Sequence, residues 1–260
     1  MSHFGRLRMK SSSKEQSASA QRHGYSSRGA SKAPPSSSSR SDADLWLVAL
    51  VCLLLALFAS RWSGADLWLS RQFFDPGSTR FPLREAELWS GLLHDGFKWL
   101  SLTIWTGLLC IRISGIGSLH LRIASRELNF VLTASLFIVL ATSYARSISL
   151  HSCPWYLTQF GGSAEFFRLL DVAPSNAGPG RCLPSGHASS AFMWLAVVPI
   201  LSGHKRRNLL VAVLALGLLA GVVQVARGAH LASHVLMSGA LGALAAALAH
   251  RLHIRRLRKH

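Results

Sequence analysis

The chain has 260 residues, of which 50% are hydrophobic and 15% charged, and its mean hydropathy is +0.30; it is too apolar and too sparsely charged for an ordinary soluble domain. The formal net charge is +17, but a nucleic-acid binder would need that charge gathered on one folded surface, and here it falls in short clusters between apolar runs. Composition therefore excludes a simple soluble domain, argues against a nucleic-acid partner, and leaves a polytopic membrane protein whose basic clusters set topology and meet lipid headgroups.

Residues 1–43 are rich in Ser, Lys and Arg and poor in apolar residues, which predicts a disordered basic tail. A transit peptide shares that composition, but the tail shows no amphipathic period and no small-residue cleavage pattern follows the first apolar run. The remainder, 44–260, reads as one all-α membrane domain. Its spans are expected at Leu45–Ser60, Phe97–Ile111, Asn129–Ala145, Ala188–Leu201, Leu209–Ala226 and Val235–His250, six transmembrane helices in all. Between the first two, residues 61–97 mix aromatic and charged residues, the composition of an interfacial loop with short amphipathic helices. His94 and Asp95 lie there, at a span entrance, where an interfacial cap is the simpler role.

The tail, the loop after the second span, the GHKRRN turn and the RLHIRRLRKH terminus are all basic and all fall on one side. By the positive-inside rule that side is cytoplasmic, so both termini are expected inside and the bacterial cytoplasmic membrane is the expected location. The long Gly/Pro/Ser-rich loop 147–186 and the short junction 228–233 then lie outside. Trp155, Phe160, Gly161 and Gly162 shape that long loop, and Asp171, Glu165 and Arg181 are by default solvated loop residues. Cys52 and Cys110 sit in apolar runs and read as small packing residues. Cys153 and Cys182 lie in outer polar segments and can pair if that side is oxidising; the sequence leaves the pairing open.

Two stretches carry chemistry. Within Gly221–Gly239 the polar residues Gln224, Arg227, His230 and His234 recur at intervals of three, three and four, which on a continuous helix is one stripe. Ionisable groups in such an apolar segment are costly unless a partner, wet cavity or anion compensates. The second stretch, Pro184-Ser185-Gly186-His187, opens the fourth span, where backbone N–H groups and the helix dipole favour an anion and His187 is placed to give a proton to a leaving oxygen.

Together with Arg146 and Pro154, these motifs resemble the type 2 phosphatidic acid phosphatase superfamily, integral-membrane lipid phosphatases related to vanadium haloperoxidases, whose pattern is K-x6-R-P, P-S-G-H and S-R-x5-H-x3-D. P-S-G-H is matched in full. In the first motif Arg146 stands for Lys and Cys153 for Arg. In the third, Gln224 stands for Arg, His230 aligns with the nucleophile and His234 replaces Asp; Arg227, one turn nearer the active end, is expected to return a guanidinium. A second register would make His234 the nucleophile.

The resemblance implies hydrolysis of a lipid phosphate or diphosphate at the extracytoplasmic face, without metal or cofactor, through a phosphohistidine on His230. His187 would act as acid and then base, His234 would orient the nucleophile, and Arg146, Arg227, Ser185 and Gly186 would hold the phosphoryl oxygens. A phosphotransferase using the same intermediate, and a non-catalytic lipid-binding or transport protein on the same scaffold, remain the competing readings. No H-E-x-x-H, Walker-type loop or Cys-pair metal motif occurs.

Overall fold

The computed structural model describes residues 37–86, 96–114 and 125–259; His94, Asp95 and most of the expected tail lie outside them. Helix α1 (Ser37–Leu57) runs on through a π turn, Phe58–Trp62, and is followed by the short α2 (Ala65–Arg71), α3 (Gly96–Ser114) and α4 (Ser125–Ser147). Helix α5 (Gly186–Phe192) tightens into a 3-10 helix, Met193–Ile200, before α6 (Gly203–Ala226) and α7 (Ala232–Leu257). Among the described residues the only β-pairings are two isolated bridges, Asp75 with Arg80 and Leu157 with Ala164, so the expected all-α class holds.

Four helices are long and apolar enough to cross a membrane, Ser41–Trp62, Ser125–Ser147, Gly203–Ala226 and Ala232–Leu257, which makes this an integral membrane protein. Helix α3 is not among them, having Lys98 and Arg112 within its 19 residues, and the apolar helix Gly186–Ile200 is shorter. Large apolar side chains face outward on several of these helices, among them Leu54 and Phe58, Phe137 and Leu140, Leu219 and Val222. Hydrocarbon, unlike water, leaves such a surface at no cost.

Helix α7 is the centre of the bundle, packing along α1 and α4 and against α5. Its run of Gly242, Ala243, Ala246 and Ala247 is almost fully buried, and small residues let helix backbones approach closely where lipid supplies no hydrophobic driving force. Leu45, Ile138, Phe192 and Leu195 fill the space around it.

The helices outrun their apolar cores at the basic end. GHKRRN, expected as a tight turn, is instead the first part of α6, and the C-terminal basic run is the end of α7. Lys and Arg are good helix formers, and acids on α1 receive them: Arg206 pairs with Asp44 at 3.1 Å, and Asp42 takes both His250 at 2.6 Å and Arg251 at 3.5 Å. For this reason α1 starts at Ser37, inside the stretch expected to be tail.

At the opposite end the segment 61–86, part of the expected loop 61–97, packs through α2 against α6 and α7. Phe74, Phe81 and Phe160 pack ring against ring at 5.2–5.3 Å, and the Arg84 guanidinium lies 4.2 Å over Trp155. Arg61 Nη1 donates to both Asp171 Oδ1 and the Leu169 carbonyl at 2.6 Å, so Asp171, an exposed loop residue as expected, also anchors the loop, its carboxyl held below the usual range by that bond.

Candidate active site

The site is built where α4 ends, α5 begins and α6 turns into α7. The turn comes first. Helix α6 stops at Ala226, and Gly228 follows the cap residue Arg227 with φ +69°. Gly228 N–H donates to the Val225 carbonyl and Ala229 N–H to that of Gln224, both at 2.9 Å, the pattern of a helix closed by a left-handed glycine. A Cβ here would lie 2.3 Å from the Phe81 ring, so both conformation and space require glycine. Gln224, Arg227, His230 and His234 therefore do not share one helical stripe: the first two close α6, His230 lies in the turn and His234 begins α7. The turn, and not the helical period, brings the histidines to the site.

The first turn of α7 is locked from outside. Asp66 of α2 accepts Ser233 N–H at 2.8 Å and Ser233 Oγ–H at 2.6 Å, the first of these capping one of the backbone donors a helix start leaves open. Asp66 is 1% exposed; burial raises its pKa and the two Ser233 bonds partly oppose this.

His230, also buried, points its Nδ1 at the Cys182 carbonyl, 2.8 Å away. A carbonyl can only accept, so Nδ1 carries a proton, and in the neutral ring Nε2 then carries the lone pair. Cys182 is disulfide-bonded to Cys153 with a Cα–Cα distance of 5.3 Å, so the pairing left open by the sequence is made, within the usual separation. Its amide donates to the His151 carbonyl at 3.0 Å. The carbonyl that orients His230 is thus held by one covalent and one hydrogen-bonded tie to the loop after α4.

His234 does not orient His230 as expected. The ring centroids are 6.0 Å apart, and neither His234 nitrogen makes a hydrogen bond of ordinary geometry, although the Cys182 carbonyl faces that ring too. The backbone of His234 does more: its carbonyl accepts Ser185 N–H at 3.1 Å and Ser238 Oγ–H at 3.0 Å. Ser185 in turn is the cap of α5, its Oγ accepting from Ala188 N–H. Its amide, expected to help hold a phosphate, is committed to the His234 carbonyl.

Arg146, at the end of α4, lies across this turn. Its Nε donates to the Arg181 carbonyl at 2.7 Å, and a Cβ on Gly186 would come within 3.0 Å of its Nη1, so Gly186 leaves room for the guanidinium. His187 follows in the first turn of α5, half-buried. Arg227 stays buried beside Gln224, Nη1 to Oε1 3.4 Å. The contacts therefore join Arg146, Ser185, Gly186, His230 and His234 through Cys182 and the α7 start, with His187 adjoining in the chain.

His151 and Asp66 were not singled out by sequence. His151 stacks on Phe167 at 4.1 Å and meets the His234 ring edge-on at 5.8 Å. Burial lowers its pKa from 6.5 to about 4, with Asp171 pulling it partly back. The unfolded chain protonates this ring near 6.5 and the folded chain only near 4, so its contribution to stability is complete above about 6.5 and is lost as pH falls through that window. Thermal unfolding of the full chain between about pH 7 and pH 4 should show this loss, and His151→Gln should flatten it. Among the described residues no three His, Cys, Asp or Glu side chains are grouped to hold a metal ion.

No curated protein and no solved structure matches the chain. Residues 124–258, just over half of its length and all of the segments that build this site, match the family model of the PAP2 superfamily, and the chain belongs to that superfamily.

Proposed function

We propose that the protein is a membrane phosphatase that removes a phosphoryl group from a lipid phosphate or diphosphate through a phosphohistidine on His230. The observation that carries this is the 2.8 Å bond from His230 Nδ1 to the Cys182 carbonyl. That bond supports Nε2 as the nucleophilic nitrogen. Nε2 attacks phosphorus, the N–P bond forms and the P–O bond to the lipid breaks, while His187 gives its proton to the departing oxygen. His187 then takes a proton from water, which displaces the phosphate from His230. Arg146 and the amides from Gly186 onward hold the equatorial oxygens, and Arg227 adds positive charge from the α6 end. The backbone carbonyl of Cys182 does the work of the family's Asp, and His234 fills its position.

Six crossings suit this reading. Helix α3 rises about 28 Å over its length, and the 3-10 portion of Gly186–Ile200 stretches that segment to about 26 Å, each near the thickness of a bilayer core. Arg112, Arg126, Arg206, Arg251 and Arg256 then lie on the cytoplasmic side and the site outside, a side where a disulfide persists. A cleft of about 460 Å³ between α4 and α7, walled by Ala145, His151, Pro184 and Leu241, suits lateral entry with the lipid chains remaining among the helices.

The test is phosphate release by purified full-length protein from phosphatidic acid, phosphatidylglycerophosphate and prenyl diphosphates, with chelator present. Release of free phosphate supports the hydrolase; transfer to a second lipid identifies a phosphotransferase; binding without turnover of any substrate overturns the reading.

A further inference from the structure

We propose that the groove between α4 and α7, at the end of the bundle opposite His230 and His234, is a binding site for an anionic phospholipid of the surrounding bilayer. The groove encloses about 570 Å³. Its inner part is walled by Ala134, Phe137 and Leu248, its outer part by Arg251, Arg255 and Arg256. Leu248 to Arg256 is a rise of about 12 Å along α7, so the wall changes from apolar to cationic over the distance that separates a lipid's first methylenes from its phosphate. Phe137 and Leu248 are 51% and 43% exposed, and both lie on spanning helices, so the apolar part opens towards the bilayer. Phe130 and His253 close the groove between them, with ring centroids 4.9 Å apart.

Charge selects the occupant. Arg251 is partly neutralised by Asp42 at 3.5 Å, whereas Arg255 and Arg256 form no ion pair among the described residues, and their side chains are exposed. Guanidinium groups at a membrane surface bind phosphate oxygens by paired hydrogen bonds, and a headgroup such as phosphatidylglycerol brings no ammonium for them to repel. Basic pockets between spanning helices favour anionic headgroups for the same reason. The chain's own N-terminal segment is the wrong sign for this place: residues 1–36 hold one acidic residue, Glu15, against seven Lys and Arg.

The experiment is native mass spectrometry of the detergent-purified full chain with phosphatidylglycerol or phosphatidylcholine of identical acyl chains. Wild type should retain phosphatidylglycerol in preference to phosphatidylcholine. Arg255→Gln with Arg256→Gln should weaken phosphatidylglycerol binding about 30-fold, the equivalent of two surface cations. Thr133→Trp, which fills the groove from its exposed wall and leaves every cation in place, should remove the same adduct and guards against a misfolded double variant. Lys205→Gln with Arg207→Gln, basic residues outside the groove, should keep it. Equal retention of the two lipids by wild type, or undiminished phosphatidylglycerol binding in both groove variants, would overturn the proposal.

Discussion

Replacing His230 with Ala should abolish turnover, lowering phosphate release by about 10⁴-fold or more, because it removes the atom that forms the covalent bond. His187→Ala should cost about 10²- to 10⁴-fold, the usual worth of a general acid and base, and less on a substrate whose leaving group needs no proton. The two losses should not add, since without the phosphohistidine there is nothing for His187 to hydrolyse. His234→Asn separates the alternatives for the nucleophile. With His230 oriented by the Cys182 carbonyl, this change should cost no more than about 10- to 100-fold, the effect of a supporting residue. Steady-state kinetics on one lipid phosphate, with each variant's fold checked by its thermal midpoint, decides among these outcomes. Near-complete loss in His234→Asn with a modest loss in His230→Ala would move the nucleophile to His234.

The second large effect concerns the disulfide. Cys153 and Cys182 are 29 residues apart, and a crosslink closing a loop of that length stabilises by about 3–4 kcal/mol through the unfolded chain. Changing both cysteines to Ala should therefore lower the thermal midpoint clearly. It should also lower kcat, by about tenfold, with a smaller change in KM. The crosslinked residue supplies the carbonyl that fixes the His230 tautomer, and the two backbone bonds that remain, Arg181 N–H to Ser149 and Cys182 N–H to His151, hold that strand less tightly. Reductant added to wild type should reproduce both changes and have no effect on the double variant. A stability loss with unchanged kcat would make the disulfide a brace for the loop without a part in orienting His230.

These expectations show which parts of the molecule can be read from the chain alone. The four long apolar helices announce themselves by composition, and Pro184-Ser185-Gly186-His187 opens a helix because Ser185 caps it. Arg146 could be placed beside that turn because the motif spacing and the expected topology both send it there. Although the apolar runs set a junction at 228–233, the intervals through Gln224, Arg227, His230 and His234 suggest one helical stripe. Gly228 is the local signal against that, since a left-handed glycine after Arg227 ends α6. Asp66 could not have been found by period or motif: it is a loop acid in sequence, and only the return of α2 onto α7 makes it a cap. His151 likewise gains its place from Phe167 and His234, both distant in the chain. The orienting partner of His230 is a backbone carbonyl, a group every residue carries and no sequence pattern marks. Likewise, nothing in GHKRRN distinguishes a basic turn from a basic first helical turn until Asp44 is there to receive Arg206.

The most direct measurement is to catch the covalent intermediate. The full-length protein is mixed briefly with a lipid phosphate carrying labelled phosphorus, quenched in base, where phosphohistidine survives, and digested for mass spectrometry. A label on the peptide bearing His230, lost on acid treatment and absent from His230→Ala, is the predicted result. Free phosphate released at full rate with no labelled histidine, or with the label on another residue, would contradict the account.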